Sequence, residues 1–380
     1  MLTDPRSAPA VSIDVGAPEA AACDVEHVET FVSPAPAVEA SDRLADHTTF
    51  HIGGPARRLV VATTEAQLVD AVRNADAAGE PVLILSGGSN VLVSDDGFDG
   101  LVVKVATRGV SADVSDCAGA YVTVEAGEVW DDLVAHAIGQ GWMGIEALSG
   151  IPGLVGSTAI QNVGAYGADV SQTIARVRTW DRQAGAHRTF TASECGFGYR
   201  QSIFKAQPGR YLVLQVAFQL DLGSLSAPVR YAELARELGC ELGDRVDAER
   251  VREAVIAIRR AKGMVVDEAD HDTWSSGSFF MNPVLDADSA SALPEGAPRF
   301  PQPDGTVKTS AAWLIDHAGF SRGHGSGRAT LSTRHTLALT NRGGATASEV
   351  MALAREVRDG VRDRFGITLV AEPVLVGLAL

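Results

Sequence analysis

The sequence has few cysteines and no long apolar run, and each scarcity excludes a class of protein. Its four cysteines are Cys23, Cys117, Cys195 and Cys240, and no two have the CxxC spacing of zinc or thioredoxin-type sites. Such sparse cysteines are typical of a reducing compartment. No apolar run approaches the roughly 18 residues of a membrane span, and the N-terminus lacks the features of a signal peptide. We therefore expect a cytoplasmic protein without a membrane partner.

Basic residues are also scarce. The chain has 32 lysines and arginines against 48 aspartates and glutamates, which gives a formal net charge of −16 at pH 7. Nucleic-acid binding requires clustered lysine and arginine side chains that neutralise phosphates, so we expect no nucleic-acid partner. Hydrophobic residues make up 46% and charged residues 21% of the 380 residues. This composition is typical of globular proteins, and the length predicts more than one domain.

The first 40 residues differ from the rest of the chain. They are rich in alanine and proline and contain seven acids and one base, so −6 of the net charge lies here. We expect residues 1–40 to form a disordered acidic tail that the chemistry does not need.

From Leu44 onward, short apolar runs alternate with helical patterns. Thr64 and Gln67 form a capping-box pattern that predicts a helix through Ala78. The apolar spacing over 350–361 predicts another helix, which ends at Gly366. The other expected elements are strands over 59–62, 81–85, 91–93, 101–105 and 121–126, helices over 130–138 and up to Lys262, and a final strand over 367–376 that includes Glu372. This mixture favours an α/β or α+β fold.

Several common functional motifs are missing. The chain has no GxGxxG, GxxxxGK[ST], HExxH or GxSxG, which excludes the simplest Rossmann, P-loop, zincin and hydrolase interpretations. His47 and His51 are four residues apart, but they precede a loop-like stretch with two glycines. We therefore expect no metal site.

Two glycine-rich loops are the main functional signal in the sequence. The first is Ser86-Gly87-Gly88-Ser89-Asn90, which follows a predicted strand, and the second extends from Gly150 to Gly167. Successive backbone N–H groups in such loops can bind an anion. A plain turn or a structural Ω-loop has the same composition. The presence of two such loops favours a large ligand that lies against the backbone.

Three further segments contain candidate catalytic side chains. Arg200 lies between aromatic residues in Tyr199–Lys205, where it could be held rigidly and directed at a carboxylate. Ser278 follows a glycine and precedes two phenylalanines, and Glu372 lies within an apolar run. Each also has an ordinary interpretation: a surface arginine, a solvated serine and an exposed glutamate.

Taken together and in this order, the segments resemble one family, the UDP-N-acetylenolpyruvoylglucosamine reductases, flavoenzymes of peptidoglycan precursor synthesis. The resemblance extends from about Leu44 to the end of the chain. The segments responsible are TFHIGG (49–54), SGGSN (86–90), GIPG through NVGAYG (150–167), YRQSIFK (199–205), GSFFMNP (277–283), AAWLI (311–315) and Glu372-Pro373.

The resemblance implies an α+β fold with a two-lobed FAD-binding module of the vanillyl-alcohol-oxidase (PCMH) type and a C-terminal α/β substrate domain. It places the FAD-binding module at residues 44–224, with lobes of about 44–110 and 111–224. The substrate-binding domain then covers 225–366, and a final strand over 367–380 contains Glu372.

The implied reaction is the NADPH-dependent reduction of the enolpyruvyl group of a UDP-sugar. NADPH passes a hydride to FAD, which passes it to C3 of the enolpyruvyl group, and a proton is added at C2. The resemblance assigns Arg200 to stabilise the enolate of the substrate carboxylate, Glu372 to assist Arg200, and Ser278 to donate the proton. Of these roles, we expect a fixed guanidinium directed at the developing charge to make the larger contribution to the rate. General acid catalysis typically adds a rate enhancement of about 10²–10⁴-fold.

The resemblance also assigns binding residues. Tyr231 is similar to a tyrosine on the loop that closes over the uridine diphosphate in one subtype of the family. The residues expected to bind substrate are Tyr199, Tyr231, Lys262 and Asn282. Those expected to bind FAD are Ile52, Gly53 and Gly54 on the adenine side, with Gly87, Gly88, Ser89, Asn90, Gly150, Ile151, Pro152, Gly153, Ser157, Asn162, Gly164, Ala165 and Tyr166.

The chain departs from the family pattern at a few positions. Ser86 and Ser157 stand where glycine is frequent, Met281 replaces a frequent lysine, and the spacer from Lys262 to Ser278 is longer than in short members. Two alternatives stay open: another FAD-dependent oxidase or dehydrogenase of the same superfamily, and a non-enzymatic acidic binding protein with structural glycine loops. We expect a monomer whose only partners are small molecules.

Overall fold

A short part of the N-terminal segment forms a β-strand. The computed structural model describes residues 23–30 and 41–380. Strand β1 (Glu26–Thr30) pairs antiparallel with residues 110–114, and a disulfide joins Cys23 to Cys117. The predicted disordered tail is therefore wrong for Glu26–Thr30, because these residues extend an exposed sheet edge. Residues 1–22 and 31–40 of that prediction lie outside the described residues. The argument from sparse cysteines did not predict the disulfide.

The first lobe is a small α/β unit. Three parallel strands run in the order β2-β5-β3, and α1 packs on them. The predicted capping box is confirmed, because Oγ1 of Thr64 accepts from Gln67 N and Oε1 of Gln67 accepts from Thr64 N, both at 3.3 Å. The elements are β2 (Ala56–Ala62), α1 (Glu65–Ala77), β3 (Val82–Leu85), β4 (Val91–Val93) and β5 (Phe98–Val105).

The second lobe is built on a larger antiparallel sheet. Its strand order is β1-β6-β7-β13-β11-β12, with β8 also pairing with β13. Helix α2 buries Trp130 against this sheet, and Nε1 of Trp130 donates to Leu148 O at 2.9 Å. The elements are β6 (Val110–Ser115), β7 (Gly119–Glu125), α2 (Trp130–Gly139), β8 (Trp142–Met143), α3 (Val155–Thr158), β9 (Gly164–Ala165), β10 (Ala168–Asp169), β11 (Ile174–Asp181), β12 (Ala186–Thr191), α4 (Ile203–Ala206) and β13 (Tyr211–Leu222).

A helical pair follows the second lobe. Helices α5 (Ala232–Leu238) and α6 (Ala248–Ala261) share a small apolar core. Helix α6 is fixed to the second lobe, because Nη1 of Arg252 donates to Asp131 Oδ1 at 2.6 Å. The sequence placed this pair in the substrate domain, whose bounds of 225–366 stay a prediction.

The C-terminal region packs around the long helix α9, whose apolar face is buried as the spacing predicted. Gly366, at φ +70°, ends this helix. The elements are β14 (Val284–Leu285), α7 (Ala287–Ser291), β15 (Phe300–Pro301), β16 (Val307–Lys308), α8 (Ala311–His317), β17 (Ala329–Leu331), β18 (Leu339–Asn341), α9 (Ala347–Phe365) and β19 (Val374–Val376). In the described part of the chain, no helix is long and apolar enough to cross a membrane.

The end of the chain returns to the first lobe. Strand β19 pairs in parallel with β4, with Val374 opposite Val91. The predicted final strand is therefore too long, and Glu372 lies just ahead of β19 and not within it. Pro373 separates the two, and proline cannot donate a backbone hydrogen bond to a sheet. The return of the chain places Glu372 between the first lobe and the C-terminal region.

Candidate active site

A cavity of about 570 Å³ lies where the two glycine-rich loops, the end of α6 and the C-terminal region meet. Sixteen of the 23 predicted site residues lie on its wall. The predicted residues on its wall are Gly87, Gly88, Ser89, Asn90, Ile151, Pro152, Ser157, Gly164, Ala165, Tyr166, Arg200, Tyr231, Lys262, Ser278, Asn282 and Glu372.

The two glycine-rich loops touch each other at one side of the cavity. A Cβ atom on Gly87 would lie 2.7 Å from Cα of Gly153. Gly88 has φ +65°, and a Cβ there would lie 1.9 Å from the carbonyl oxygen of His47. Both distances are shorter than a carbon atom tolerates, so both positions require glycine for close backbone approach, and Gly88 requires it for conformation as well.

Arg200 is held in a tight turn. The backbone of Gly198 and Gln201 exchanges two hydrogen bonds across it, at 3.1 and 3.2 Å. Within the turn Arg200 has φ +54°, a left-handed conformation that costs a non-glycine residue about 1–2 kcal/mol. Its Nε donates to Oε1 of Glu372 at 2.8 Å and its Nη2 to the carbonyl of Gly164 at 2.9 Å. The guanidinium therefore has a fixed direction on the cavity wall.

Glu372 is positioned by backbone pairing with the segment that contains Ser278. The amide of Glu372 donates to Phe279 O at 2.8 Å, and the amide of Met281 donates to Val370 O at 3.0 Å. Side-chain exposure at Glu372 is 11%, so the predicted alternative of an exposed glutamate is wrong. Its partner Arg200 supplies the opposite charge that a shielded carboxylate requires.

Ser278 lies on the cavity wall between a flexible and a rigid neighbour. Gly277 before it has φ +72°, which only glycine adopts at little cost. Phe279 and Phe280 after it are fully buried in the C-terminal core, and the amide of Phe279 donates to Leu337 O at 2.7 Å. The aromatic anchors thus fix the position from which Ser278 faces the cavity.

Tyr231 and Lys262 lie on the cavity wall beside Tyr166 of the second glycine-rich loop. Tyr231 is 42% exposed, and its ring meets that of Tyr166 edge-on with the centroids 5.6 Å apart. Nζ of Lys262 donates to Oε2 of Glu233 at 2.5 Å. The longer spacer does not remove Lys262 from the site, since Lys262 and Ser278 line the same cavity.

Several predicted residues do not line the cavity: Ile52, Gly53, Gly54, Gly150, Gly153, Asn162 and Tyr199. Ile52 is 2% exposed and belongs to the C-terminal core. Gly53 and Gly54 pack against backbone, and a Cβ on Gly54 would lie 2.2 Å from Asp95 O. The structure therefore does not place these three on a ligand-binding surface.

The remaining four residues do not line the cavity but contact residues on or near its wall. Gly150 O accepts from Nε of Arg259 at 3.0 Å, and Gly153 lies against the first loop. Nδ2 of Asn162 donates to Gly198 O at 3.1 Å, which braces the turn of Arg200. Tyr199 lies under Nζ of Lys308, 4.6 Å from its ring centroid.

The cavity also includes polar residues that the sequence analysis did not single out: Gln161, Lys205, Arg259 and His335. The sequence contained one clue for Arg259, because this basic residue follows directly on the apolar positions Val251, Val255 and Ile258 of one predicted helix. Lys205 belongs to the quoted YRQSIFK segment, but nothing in the sequence placed its side chain. His335 had no distinguishing neighbour in sequence.

Burial changes the ionisation of several of these groups. It lowers the pKa of Lys205 and raises the pKa of Tyr166, Tyr199 and Tyr231. It also lowers the pKa of His335 to about 4, and the nearby positive charges of Lys262 and Arg322 act in the same direction. His335 is therefore neutral at pH 7.

Three buried polar atoms on the cavity wall have no hydrogen-bond partner among the described residues: Oγ of Ser86, Oγ of Ser276 and Nζ of Lys205. Such groups are uncommon in folded proteins, and ordered water or a polar ligand can supply their hydrogen-bond partner. Ser86 begins the first glycine loop, whose successive backbone N–H groups can bind a phosphate group. The residues present thus fit a large ligand with phosphates, such as FAD.

Comparison with known proteins identifies the family. A model described as "FAD binding domain" matches residues 56–190, and one described as "UDP-N-acetylenolpyruvoylglucosamine reductase, C-terminal domain" matches residues 268–376. A protein of Cutibacterium acnes named UDP-N-acetylenolpyruvoylglucosamine reductase is 62% identical over 340 residues, which cover 89% of this chain and 90% of that protein. This chain belongs to the UDP-N-acetylenolpyruvoylglucosamine reductase family.

Other members of the reductase family agree with this assignment. The Streptomyces coelicolor protein of the same name is 53% identical over 348 residues, covering 89% of this chain and 90% of that protein. The crystal structure of the reductase from Thermus caldophilus has a TM-score of 0.61 at 25% identity, covering 93% of this chain and 99% of that chain. The predicted α+β fold, with an FAD-binding module before a reductase C-terminal domain, is confirmed. The chain is an FAD-dependent oxidoreductase.

Proposed function

We propose that this reductase transfers a hydride from NADPH, through FAD, to the enolpyruvyl group of UDP-N-acetylenolpyruvoylglucosamine. The product is UDP-N-acetylmuramate, a precursor of peptidoglycan. The single observation that best supports this role at the level of the site is the 2.8 Å contact between Arg200 and Glu372, on the same cavity wall as Ser278. A carboxylate-directed cation beside a hydroxyl suits the reduction of an enolpyruvyl ether.

FAD would lie against the two glycine-rich loops of the FAD-binding module. The flavin supplies a hydride carrier between NADPH and substrate. The residues proposed to hold it are those on the cavity wall from Gly87 to Asn90 and from Ile151 to Tyr166. Their contribution is backbone N–H groups and small side chains, which allow an anionic ligand to approach closely.

Arg200 is proposed to stabilise the charge that develops on the substrate. Hydride addition to C3 of the enolpyruvyl group places an electron pair on C2, where it is delocalised into the carboxylate as an enolate. A guanidinium that is already oriented stabilises this charge without reorganising during the reaction. Glu372 holds that orientation through Nε, and Gly164 O holds it through Nη2.

Ser278 is proposed to complete the reaction by giving its hydroxyl proton to C2. The C2–H bond forms as the Ser278 O–H bond breaks, and the enolate becomes the saturated lactyl ether. A serine hydroxyl is a weak acid, so the alkoxide requires nearby positive charge, and Lys262 lines the same cavity. General acids placed in this way contribute about 10²–10⁴-fold.

The nucleotide part of the substrate is proposed to lie near Tyr231, Lys262 and Asn282. Tyr231 is on an exposed segment beside the cavity, where a ring can close over a bound uridine diphosphate. The ammonium of Lys262 is a compact charge suited to a phosphate. Tyr199 lies behind Arg200 and is proposed to limit its movement, since the ring is 5.5 Å from the guanidinium.

The experiment that tests this function follows flavin absorbance in the purified protein. We expect the two bands of oxidised flavin, their loss when NADPH is added without oxygen, and their return when the enolpyruvyl nucleotide follows. NADPH oxidation should then depend on that nucleotide. Protein without flavin bands would favour the binding-protein alternative. Flavin that is reduced by NADPH but not reoxidised by the nucleotide would favour another FAD oxidoreductase.

We also propose that the reductase acts as a cytoplasmic monomer on small molecules alone. Its acidic balance of 48 acids against 32 lysines and arginines disfavours contact with nucleic acid or anionic membranes. Size-exclusion chromatography with light scattering tests the monomer, and a mass twice that of the chain would overturn it.

A further inference from the structure

Lysine is rare in this chain, and one lysine has an unusual environment. Only four of the 32 basic residues are lysines. Lys205 is the one whose Nζ is buried without a hydrogen-bond partner in the described part of the chain. The other three have partners: Lys104 with Nδ1 of His47 at 2.9 Å, Lys262 with Oε2 of Glu233 at 2.5 Å, and Lys308 with the ring of Tyr199 at 4.6 Å.

The backbone around Lys205 is fixed. Lys205 lies on the single-turn helix α4, whose first residue follows Ser202. Oγ of Ser202 accepts from the amide of Lys205 at 3.2 Å, and the same hydroxyl donates to the carbonyl of Ile160. Phe204 is 4% exposed and anchors the helix in the second-lobe core. The ammonium group therefore reaches the cavity from a rigid support.

The electrostatic environment of Lys205 is incomplete without a ligand. Burial lowers the pKa of this lysine, the carboxylate of Glu372 acts against that shift, and the guanidinium of Arg200 adds to it. Glu372 is already paired with Arg200 at 2.8 Å. A buried ammonium with one shared carboxylate and no hydrogen bond is costly, and an anionic oxygen in the cavity would satisfy it.

We propose that Lys205 is a second cationic residue of the reaction site, whose Nζ donates to the carboxylate of the enolpyruvyl group and shares the enolate charge with Arg200. The inference rests on the proposed function. Two of the nitrogens of Arg200 already donate to Glu372 and Gly164 O. Arg200 therefore cannot satisfy both oxygens of the substrate carboxylate fully, and a second donor can stabilise the rest of its charge. Lys205 supplies that donor from the adjacent helix.

The location favours the substrate carboxylate over the other anionic groups. The phosphates of FAD are proposed to lie at the glycine loops, and those of the substrate at Lys262. Lys205 instead interacts electrostatically with Arg200 and Glu372, the pair assigned to the enolpyruvyl end. An ammonium that served the reduced flavin would alter the potential of the flavin, which gives a separate measurement.

The test begins with the wild-type holoenzyme, in which the enolpyruvyl nucleotide must reoxidise the NADPH-reduced flavin. Failure at this stage overturns the proposed function and, with it, the role of Lys205, whereas a wild-type enzyme that passes this stage allows the variants to test Lys205 alone. The variants are then Lys205→Met and Lys205→Arg, with Lys308→Met as a matched control. Lys308 is also partly buried near Arg200, which contributes to its lowered pKa, but it does not line the cavity.

We expect Lys205→Met to retain flavin and its reduction by NADPH, and to slow flavin reoxidation on the order of 10- to 100-fold, as loss of a charged hydrogen bond predicts. Lys205→Arg should recover part of this rate, and Lys308→Met should lose less. With a substrate analogue that has a carboxamide in place of the carboxylate, Lys205→Met should make little further difference.

Three results would overturn the proposal. The first is an unchanged reoxidation rate in Lys205→Met. The second is an equal loss with the carboxylate substrate and the carboxamide analogue. The third is a shift of the flavin reduction potential that accounts for the slower rate, which would assign Lys205 to the flavin. Flavin content and circular dichroism of each variant distinguish these results from misfolding.

Discussion

Arg200 and Glu372 are 172 residues apart in sequence and form a 2.8 Å hydrogen-bonded ion pair on the cavity wall. Arg200 comes from a turn of the second lobe, and Glu372 comes from the segment that returns the chain to the first lobe. The pair therefore joins two parts of the fold at the place where the proposed reaction develops negative charge. Perturbing either residue should affect the substrate half of the reaction first.

Arg200→Lys should strongly impair flavin reoxidation by the enolpyruvyl nucleotide. A lysine cannot contact both Glu372 and Gly164 O in the directions of the guanidinium, so we expect a loss of about 10²–10³-fold, the scale for one electrostatic donor. Glu372→Gln retains an acceptor oxygen and should lose less, about tenfold. Stopped-flow absorbance of the reduced flavin measures both rates. A larger effect on reduction by NADPH than on reoxidation would contradict the assignment.

Ser278→Ala should separate the two halves of the reaction. The hydroxyl is proposed to act only on the substrate, so reduction by NADPH should stay within about twofold while reoxidation falls by about 10²–10⁴-fold. The companion variant Ser278→Cys restores a proton donor and should recover part of the rate. Equal losses in both half-reactions would show that Ser278 is not the proton donor.

Gly88→Ala should lower both the flavin content and the stability of the protein. Gly88 and Gly79 have the same φ of +65°, so the left-handed conformation destabilises alanine by about 1–2 kcal/mol at either position. A Cβ at Gly88 would meet His47 O at 1.9 Å, whereas Gly79 faces open space. We expect Gly88→Ala to lower the flavin content and the free energy of unfolding more than Gly79→Ala. Similar values for the two variants would show that the close approach is unimportant.

His335 should make the protein less stable in acid. Burial lowers its pKa in the folded state to about 4, from the ordinary histidine value of 6.5. The unfolded state therefore binds more protons, and the free energy of unfolding falls as pH decreases from about 6.5 to 4, by up to about 3 kcal/mol. His335→Gln removes this term, so the variant should gain stability relative to wild type over that window. Parallel pH profiles from urea unfolding would contradict the burial of His335.

The disulfide between Cys23 and Cys117 should be detectable by alkylation. In the unfolded but unreduced protein, only Cys195 and Cys240 should react, since these are the free cysteines of the structure. All four should react after reduction, and Cys23→Ser should free Cys117 for reaction without a reductant. Mass spectrometry counts the labels. Four labels on the unreduced wild-type protein would show that the two thiols are not joined.

Local elements of this fold follow from local sequence. The capping box at Thr64 and Gln67 and the terminating Gly366 of α9 were both predicted and are present, because each depends on residues within a few positions. Errors arose where pairing is distant. Strand β1 forms only because residues 110–114 offer a free edge, and β19 is short because it pairs with β4, far earlier in the chain.

The order of motifs in the sequence determined the family, the cofactor class and the candidates Arg200, Ser278 and Glu372. This was possible because the glycine-rich loops and the reactive side chains lie in short contiguous segments that can be recognised by residue type and order. Only the tertiary structure decided which of them meet. It placed Arg200 against Glu372, it placed the amide of Asn162 within hydrogen-bond distance of Gly198 O in the turn of Arg200, and it brought the unpartnered Lys205 to the cavity. These outcomes depend on how the two lobes and the C-terminal region pack, a long-range property that no local pattern encodes.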